Sequence, residues 1–322
     1  MISPKKRLIS GIKPTGRLHI GNYFGALKQF VDLQDKYETF IFVANLHAIT
    51  ATPSKESMLS DTRNIILDYL GAGLDPKKVT LFKQSDVTAH TSLAWIFDCL
   101  VTVPYLERAH AYKDAENKSK EANAGTFTYP VLMASDILLY DADVVPVGKD
   151  QKQHIEYARD IAGKFNNQYE ELFKLPKELI QEDTAVVPGT DGQKMSKSYN
   201  NTIPLFATDE EITKAVMSIT TDSKGKDEEK NPDDIVLYQI HKLFNDSKDL
   251  KKQYTKGLGY GDAKKMLIQT IIDFVTPMRE RRKKYEDDPK LVEEILLHGA
   301  VHANDVAMKK LQAVYEAVGL TQ

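Results

Sequence analysis

The sequence predicts an α/β protein: a doubly wound parallel sheet followed by a mostly helical C-terminal domain. Three observations carry that prediction. Short apolar runs alternate with helical periodicity through the first part of the chain, the order that builds βαβ units with right-handed crossovers. A turn rich in glycine and proline follows the first run, where a helix N-terminus would begin. Past residue 204 the strand-like runs stop and helical patterns continue to the end.

The elements follow in order. RLIS (7–10) reads as a short strand. NYFGALKQFVDLQD (22–35) reads as a helix with Phe24, Leu27, Val31 and Gln34 on its inner face. TFIFVANL (39–46) is β-branched and aromatic, as a buried strand is. Thr52 and Pro53 fit the N-cap and first position of a helix that carries Met58, Ile65, Ile66, Tyr69 and Leu70 and stops near Gly71 or Gly73. VTLFKQS (79–85) is a third strand and HTSLAWIFDCLV (90–101) a third helix. The polar segment 111–125 reads as a surface insertion. Residues 128–140 are apolar, and DVVPV (143–147) is strand-like, with Pro146 implying a sheet edge or bulge. A helix is expected from Asp150 to about Phe165. A loop rich in Gly, Pro, Lys and Ser spans 188–204. Beyond an exposed charged loop (224–234), Leu267, Ile271, Phe274 and Met278 form one buried stripe of a helix that Pro277 is expected to kink. A last helix from Pro289 to Val318 ends at Gly319, a suitable residue for a left-handed C-terminal cap.

Composition narrows the function. At 322 residues the chain is long enough for about two domains. Its net charge of −3 excludes a globally basic nucleic-acid binder, so any such contact needs a local basic patch. A single cysteine, Cys99, excludes an internal disulfide framework and a multi-cysteine metal site. No apolar run reaches membrane-spanning length, and MISPKKRLIS has no apolar signal region, so a cytoplasmic protein is expected.

Two motifs carry chemistry. HIGN (19–22), in SGIKPTGRLHIGNYFGAL, sits where the first strand gives way to a helix. Such a turn holds phosphates on backbone N–H groups, with His19 placed to donate as well. An ordinary turn opening a helix fits the stretch equally. KMSKS (194–198) puts two lysines in a loop, where a mobile ammonium suits a departing pyrophosphate. A solvated basic loop is the plain alternative. HIGN and KMSKS in this order are the signature pair of the class I aminoacyl-tRNA synthetases. YPVLMASDILLY with DVVPVGKDQKQHIEYARDIA makes the chain resemble the tryptophanyl-tRNA synthetase family, bacterial type. The likeness runs from SGIKPTGRLHIGNY to YTKGLGYGDAKK.

That resemblance implies a two-step ligase. Tryptophan and ATP give tryptophanyl-AMP and pyrophosphate, and the tryptophan then passes to the 3′ end of its tRNA. His19, Lys194 and Lys197 would be catalytic. ATP would meet Lys13, Pro14, Thr15, Gly21, Asn22, Gly148, Lys149, Asp150, Val186, Lys194, Met195, Ser196, Lys197 and Ser198. Tryptophan would meet Asp136, Tyr129, Met133, Val145, Val147 and Gln151. Lys13, Lys149 and His19 depart from the family's usual Gln, acidic or small residue, and Thr. On a helix, Tyr129, Met133, Asp136 and Tyr140 share one face. A carboxylate there is costly unless paired. Either Asp136 caps something or pairs with a lysine, or it accepts from a donor-only group such as an indole N–H. Val145 and Val147 fit pocket walls and plain core equally.

The resemblance further implies a Rossmann-like catalytic domain over 1–190 (with a dimer or connective insertion at 100–125), a KMSKS loop at 191–204, and a helical anticodon-binding domain over 205–322. The last helix is expected to pack back on the catalytic domain. It implies a homodimer, Mg²⁺ entering with ATP on its phosphate oxygens, and no resident cofactor or metal. The basic cluster Arg279, Arg281, Arg282, Lys283 and Lys284 fits tRNA contact and a solvated helix face equally. Two other readings remain: a tyrosyl-tRNA synthetase, which shares the aspartate, and a tRNA-independent nucleotidyltransferase, which would not need the helical domain. A non-catalytic relative is disfavoured by the intact motifs.

Overall fold

A computed structural model describes residues 5–108, 123–148, 152–179 and 187–321. Five parallel strands, β1 (Arg7–Ile12), β2 (Glu38–Val43), β3 (Val79–Lys83), β4 (Val144–Pro146) and β5 (Lys177–Leu179), lie in the order β3-β2-β1-β4-β5. The chain winds outward from β1 to β3, then returns to the other side of β1. Alternation along the strands sends Leu8, Ile41, Val43 and Leu81 into one core and Ile9, Phe40, Phe42 and Phe82 into another. A sheet buried on both faces is what a parallel arrangement requires.

α1 comprises Ile20–Asn22, a five-residue π turn over Tyr23–Leu27, and Lys28–Leu33. The wide turn changes which residues face inward. Ile20, Tyr23, Leu27 and Phe30 are buried, whereas Phe24 and Val31, expected inside, stay partly exposed. After β2 comes α2 (Asn45–Ile49), which the sequence reading did not anticipate. α3 (Lys55–Ala72) is capped by Ser54, whose side chain accepts from Ser57 N, and not by Thr52, whose φ of +46° takes it out of cap geometry.

α4 (Ala89–Asp98), α5 (Tyr129–Leu138) and α6 (Lys152–Gln168) build the second core. Pro146 sits in an interior strand. There β4 pairs with β5 alone, because its ladder to β1 is limited to Leu8↔Val144, so the missing N–H costs nothing. The short, charged β5 (Lys-Glu-Leu) also escaped the sequence reading.

α7 (Asp209–Met217), α8 (Val236–Lys242), α9 (Lys248–Thr255), α10 (Tyr260–Asp287) and α11 (Pro289–Ala317) follow. α10 runs through Pro277 and buries Leu267, Ile271, Val275 and Met278, with Phe274 only partly covered. α11 lies along the edge strand β3, so close that a Cβ on Gly299 would sit 1.9 Å from Leu81 O. This covers an edge that would otherwise offer unpaired backbone groups.

Four members of the basic cluster on α10 make contacts within the fold. Arg279 pairs with Asp209 at 2.6 Å, Arg281 Nε donates to Gly71 O at 3.0 Å, and Arg282 Nε donates to Asp68 Oδ1 at 2.8 Å. Lys283 pairs with Asp287 on its own helix. The arginines thus hold α10 against α3 and α7.

Candidate active site

In an open parallel sheet the ligand crevice lies beyond the carboxyl ends of the strands, where the strand order reverses. Here that point is between β1 and β4. β1 runs into Lys13-Pro14-Thr15-Gly16 and the HIGN turn, and β4 runs into Val147-Gly148. Lys149, Asp150 and Gln151 follow outside the described residues, as does Val186.

The HIGN turn has a specific job for each residue. His19 is the N-cap of α1: its Nδ1 accepts from Asn22 N at 3.3 Å, and Asn22 Oδ1 accepts from His19 N at 3.1 Å. Ile20 enters the core. Gly21 leaves room for the imidazole, since a Cβ there would meet His19 Nδ1 at 2.9 Å. Burial lowers the His19 pKa to about 4, and the nearby Lys197 charge pushes the same way. Lys13 points to Thr50 Oγ1 at 3.1 Å, and burial lowers its pKa. Pro14 is buried and Thr15 exposed.

The KMSKS loop folds back onto this turn. Met195 is buried, and its N–H donates to Val187 O. Asn201, also buried, holds the loop's shape: its Nδ2 donates to Asp191 Oδ1 (2.7 Å) and Lys194 O (3.2 Å), and its Oδ1 accepts from Ser196 N (2.8 Å). Ser196 Oγ accepts from Ser198 N at 3.3 Å. Lys197 Nζ then reaches the Thr15 carbonyl at 2.8 Å, 182 residues away in sequence. Partial burial lowers its pKa, opposed by Asp61 and Asp68. Lys194 is exposed on the loop. The loop's exit is stitched to the turn by Ile20 N→Ile203 O and Leu205 N→Leu18 O.

A second cluster lies beyond the ends of β2 and β3. Asp136, on α5, is 2% exposed. Its Oδ1 accepts from Gln84 Nε2 and His90 Nδ1, both at 2.7 Å, and its Oδ2 pairs with His47 Nε2 at 2.8 Å. Burial alone would raise this carboxyl, but the charge and bond of His47 and the bond of His90 outweigh it and hold the pKa below the ordinary range. Within the fold its partners are two histidines and an amide, neither a helix cap nor a lysine. His47 Nδ1 is buried without a partner among the described residues. Tyr129 lies 4.5 Å from the His47 ring, centroid to centroid. Met133 and Val147 are partly buried beside the second core, and Val145 is buried within it.

His47, Gln84 and His90 were missed from sequence. The available signal was position: His47 and Gln84 stand just past the carboxyl ends of β2 and β3, and His90 begins the helix after β3. Among the described residues no group of three or more His, Cys, Asp or Glu is placed to hold a metal.

Comparisons with known proteins bear on the family and the fold. Residues 3–276 match the family model described as tRNA synthetases class I (W and Y). The tryptophan–tRNA ligase of Fusobacterium nucleatum is 52% identical over 98% of both chains. That of Rhodopirellula baltica is 45% identical, over 98% of this chain and 99% of its own. The crystal structure of tryptophanyl-tRNA synthetase from Campylobacter jejuni, complexed with ADP and tryptophan, superposes with a TM-score of 0.90 at 44% identity, covering 97% of this chain and 99% of that one.

Proposed function

Because the chain belongs to the class I tRNA synthetases for tryptophan and tyrosine, we propose that its two clusters divide the substrates, ATP going to the HIGN–KMSKS turn and the amino acid to the Asp136 pocket. The activity is that of a tryptophan–tRNA ligase. It activates L-tryptophan with ATP to tryptophanyl-AMP and pyrophosphate, then transfers tryptophan to the 3′ end of its tRNA.

Neither step needs a protein nucleophile. Attack by the tryptophan carboxylate on the α-phosphate is helped by positioning and by groups aimed at the developing negative charge. On this reading His19, Lys194 and Lys197 serve the phosphates. Lys13, Pro14, Thr15, Gly21, Asn22, Gly148, Lys149, Asp150, Val186, Met195, Ser196 and Ser198 shape the nucleotide's seat. Magnesium enters with ATP on its phosphate oxygens. Tyr129, Met133, Val145, Val147 and Gln151 surround the amino acid.

The observation that carries the pocket assignment is the Asp136 carboxylate, buried and held ionised by His47 and His90. A buried carboxylate accepts hydrogen bonds and donates none, which matches the donor-only indole N–H. Pyrophosphate exchange with each of the twenty amino acids tests it. Tryptophan alone should exchange, and Asp136→Ala should raise the tryptophan KM steeply while the fold survives. An unchanged KM in that variant, or exchange with tyrosine in the parent, would sink the assignment.

The proposal extends to assembly and place. Trp95 is 71% exposed and Val103 59% exposed on one short stretch of chain. The family resemblance supports a homodimer that covers these side chains, and sedimentation of Trp95→Asp should show monomer where the parent shows dimer. The helical domain from residue 205 would receive the tRNA. No helix among the described residues is long and apolar enough to cross a membrane, in keeping with work in the cytoplasm.

A further inference from the structure

Asp136 does not stand alone where it is buried. His90 lies between it and Tyr140, with Nδ1 at 2.7 Å from Asp136 Oδ1 and Nε2 at 2.9 Å from the Tyr140 hydroxyl. His90 and Tyr140 are wholly buried, and the rings of Phe42 and Phe82 lie about the imidazole with centroids at 6.1 and 6.2 Å.

The direction of the chain follows from donor counting. Burial first, and the Asp136 charge second, hold the Tyr140 phenol protonated. Its O–H must donate, and His90 Nε2 is the partner in reach. With Nε2 accepting from the phenol, Nδ1 is left as the ring donor. That N–H donates to Asp136 Oδ1. Gln84 Nε2 donates to the same oxygen, so both lone pairs of Oδ1 are used. Oδ2 receives His47 alone and keeps one lone pair open.

We propose that His90, aligned by Tyr140, is a positioning residue of the amino-acid pocket: it fixes the Asp136 carboxylate so that Oδ2 offers a single acceptor site to an incoming N–H. Its role is in specificity, since it touches the carboxylate and not the substrate. Gln84 shares the work and also holds the start of α2, because its Oε1 accepts from Leu46 N and His47 N. The inference rests on the reading that Asp136 receives the indole N–H.

The test compares tryptophan with β-(benzothiophen-3-yl)alanine, in which sulfur replaces the indole N–H, by pyrophosphate exchange. The readout is discrimination, the ratio of kcat/KM for the two. Removing a hydrogen bond to a buried charged group costs about 10- to 100-fold. His90→Leu should therefore lower discrimination by about 10- to 100-fold, through the tryptophan KM more than kcat, with the analogue's constants unmoved. His90→Asn, whose amide N–H can stand where Nδ1–H stood, should restore most of it. Tyr140→Phe keeps the core's volume and should lose discrimination in the same direction. A purely structural role would depress both substrates together, and that result overturns the proposal. If His90→Leu does not fold, Tyr140→Phe decides: parental discrimination in that variant overturns the proposal equally. Asp136→Ala separates the levels. If it abolishes discrimination while the His90 and Tyr140 variants retain it, the positioning role fails alone. If Asp136→Ala itself discriminates normally, the pocket reading falls and takes this inference with it.

Discussion

Lys197→Ala tests the proposal that the KMSKS loop acts on phosphate. The loop's shape is held by Met195, buried in the core, and by the three hydrogen bonds of Asn201. Lys197 contributes one bond, from Nζ to the Thr15 carbonyl at 2.8 Å, at an exposed position. A hydrogen bond of this kind is worth about 0.5–1.5 kcal/mol net, so the alanine variant should unfold within about 1 kcal/mol of the parent. The kinetic cost is larger. The amine is already poised over the turn that follows β1, and negative charge grows on the pyrophosphate as it leaves. Losing one preorganised group aimed at such charge lowers the rate by about 10²–10³-fold, or about 3–4 kcal/mol. Single-turnover formation of the adenylate, with ATP varied, reads the two quantities apart. The expected result is a fall in kcat of that size with the ATP KM nearly unchanged. A raised ATP KM at constant kcat would refute the reasoning, because Lys197 would then serve the bound substrate and the transition state alike.

Three further outcomes are expected. Arg282→Ala strips the partner from Asp68, which is 4% exposed and whose carboxyl burial already pushes upward, so stability should fall by about 3–5 kcal/mol, and less in the Asp68→Asn/Arg282→Ala pair; equal denaturation midpoints for Arg282→Ala and the parent would contradict this. Gly299→Ala forces a Cβ to within 1.9 Å of the Leu81 carbonyl, with α11 pressed on the edge of the sheet, and should cost about 1–3 kcal/mol or more by urea unfolding; a neutral result would mean that α11 does not lie so close to β3. Burial holds His19 and His241 at about 4 against an ordinary 6.5, so the unfolded chain takes up protons in a window where the folded one refuses them. Their contribution is therefore present above pH 6.5 and lost as pH falls toward 4, and Tm should drop across that window, with a smaller drop in His241→Asn; a flat Tm would remove both assignments.

Much of the sheet was legible because the period of two is a local property. β1, β2 and β3 each read as an apolar run, and their alternate residues went to two cores as the pleat demands. The misses have physical causes. The π turn at Tyr23–Leu27 adds to one turn of helix and rotates the inward face, which a fixed helical period cannot show. Thr52 looked like a cap until the chain turned left-handed there. β5 is three residues with no alternation to read. In the site, the motif residues were recognisable as strings, but the partners of Asp136 were not. Gln84, His90 and His47 lie 52, 46 and 89 residues from it, and only the shared carboxyl end of the sheet brings them to one carboxylate. The arginines of α10 illustrate the converse: a basic run invites a nucleic-acid reading, while the buried Asp68 and the Gly71 carbonyl claim two of its members.

The pairing of His19 with Lys197 has a chemical logic that the capping geometry exposes. Nδ1 of His19 accepts from the Asn22 N–H, so it carries no proton. With the pKa lowered to about 4 the ring is neutral at physiological pH, and its single proton must then be on Nε2. Asn22 thereby fixes the tautomer as well as the turn, since its own Oδ1 holds the His19 backbone in place. A protonated imidazole would repel Lys197, whose charge is one cause of the lowered pKa. The two motifs therefore bring unlike groups to one turn: a neutral, rigidly oriented N–H donor from His19 and a cation on a long flexible stem from Lys197. On the proposed function, a site that first holds a triphosphate and then releases pyrophosphate uses both kinds. The fixed donor keeps its direction through the reaction, and the flexible cation can leave with the product.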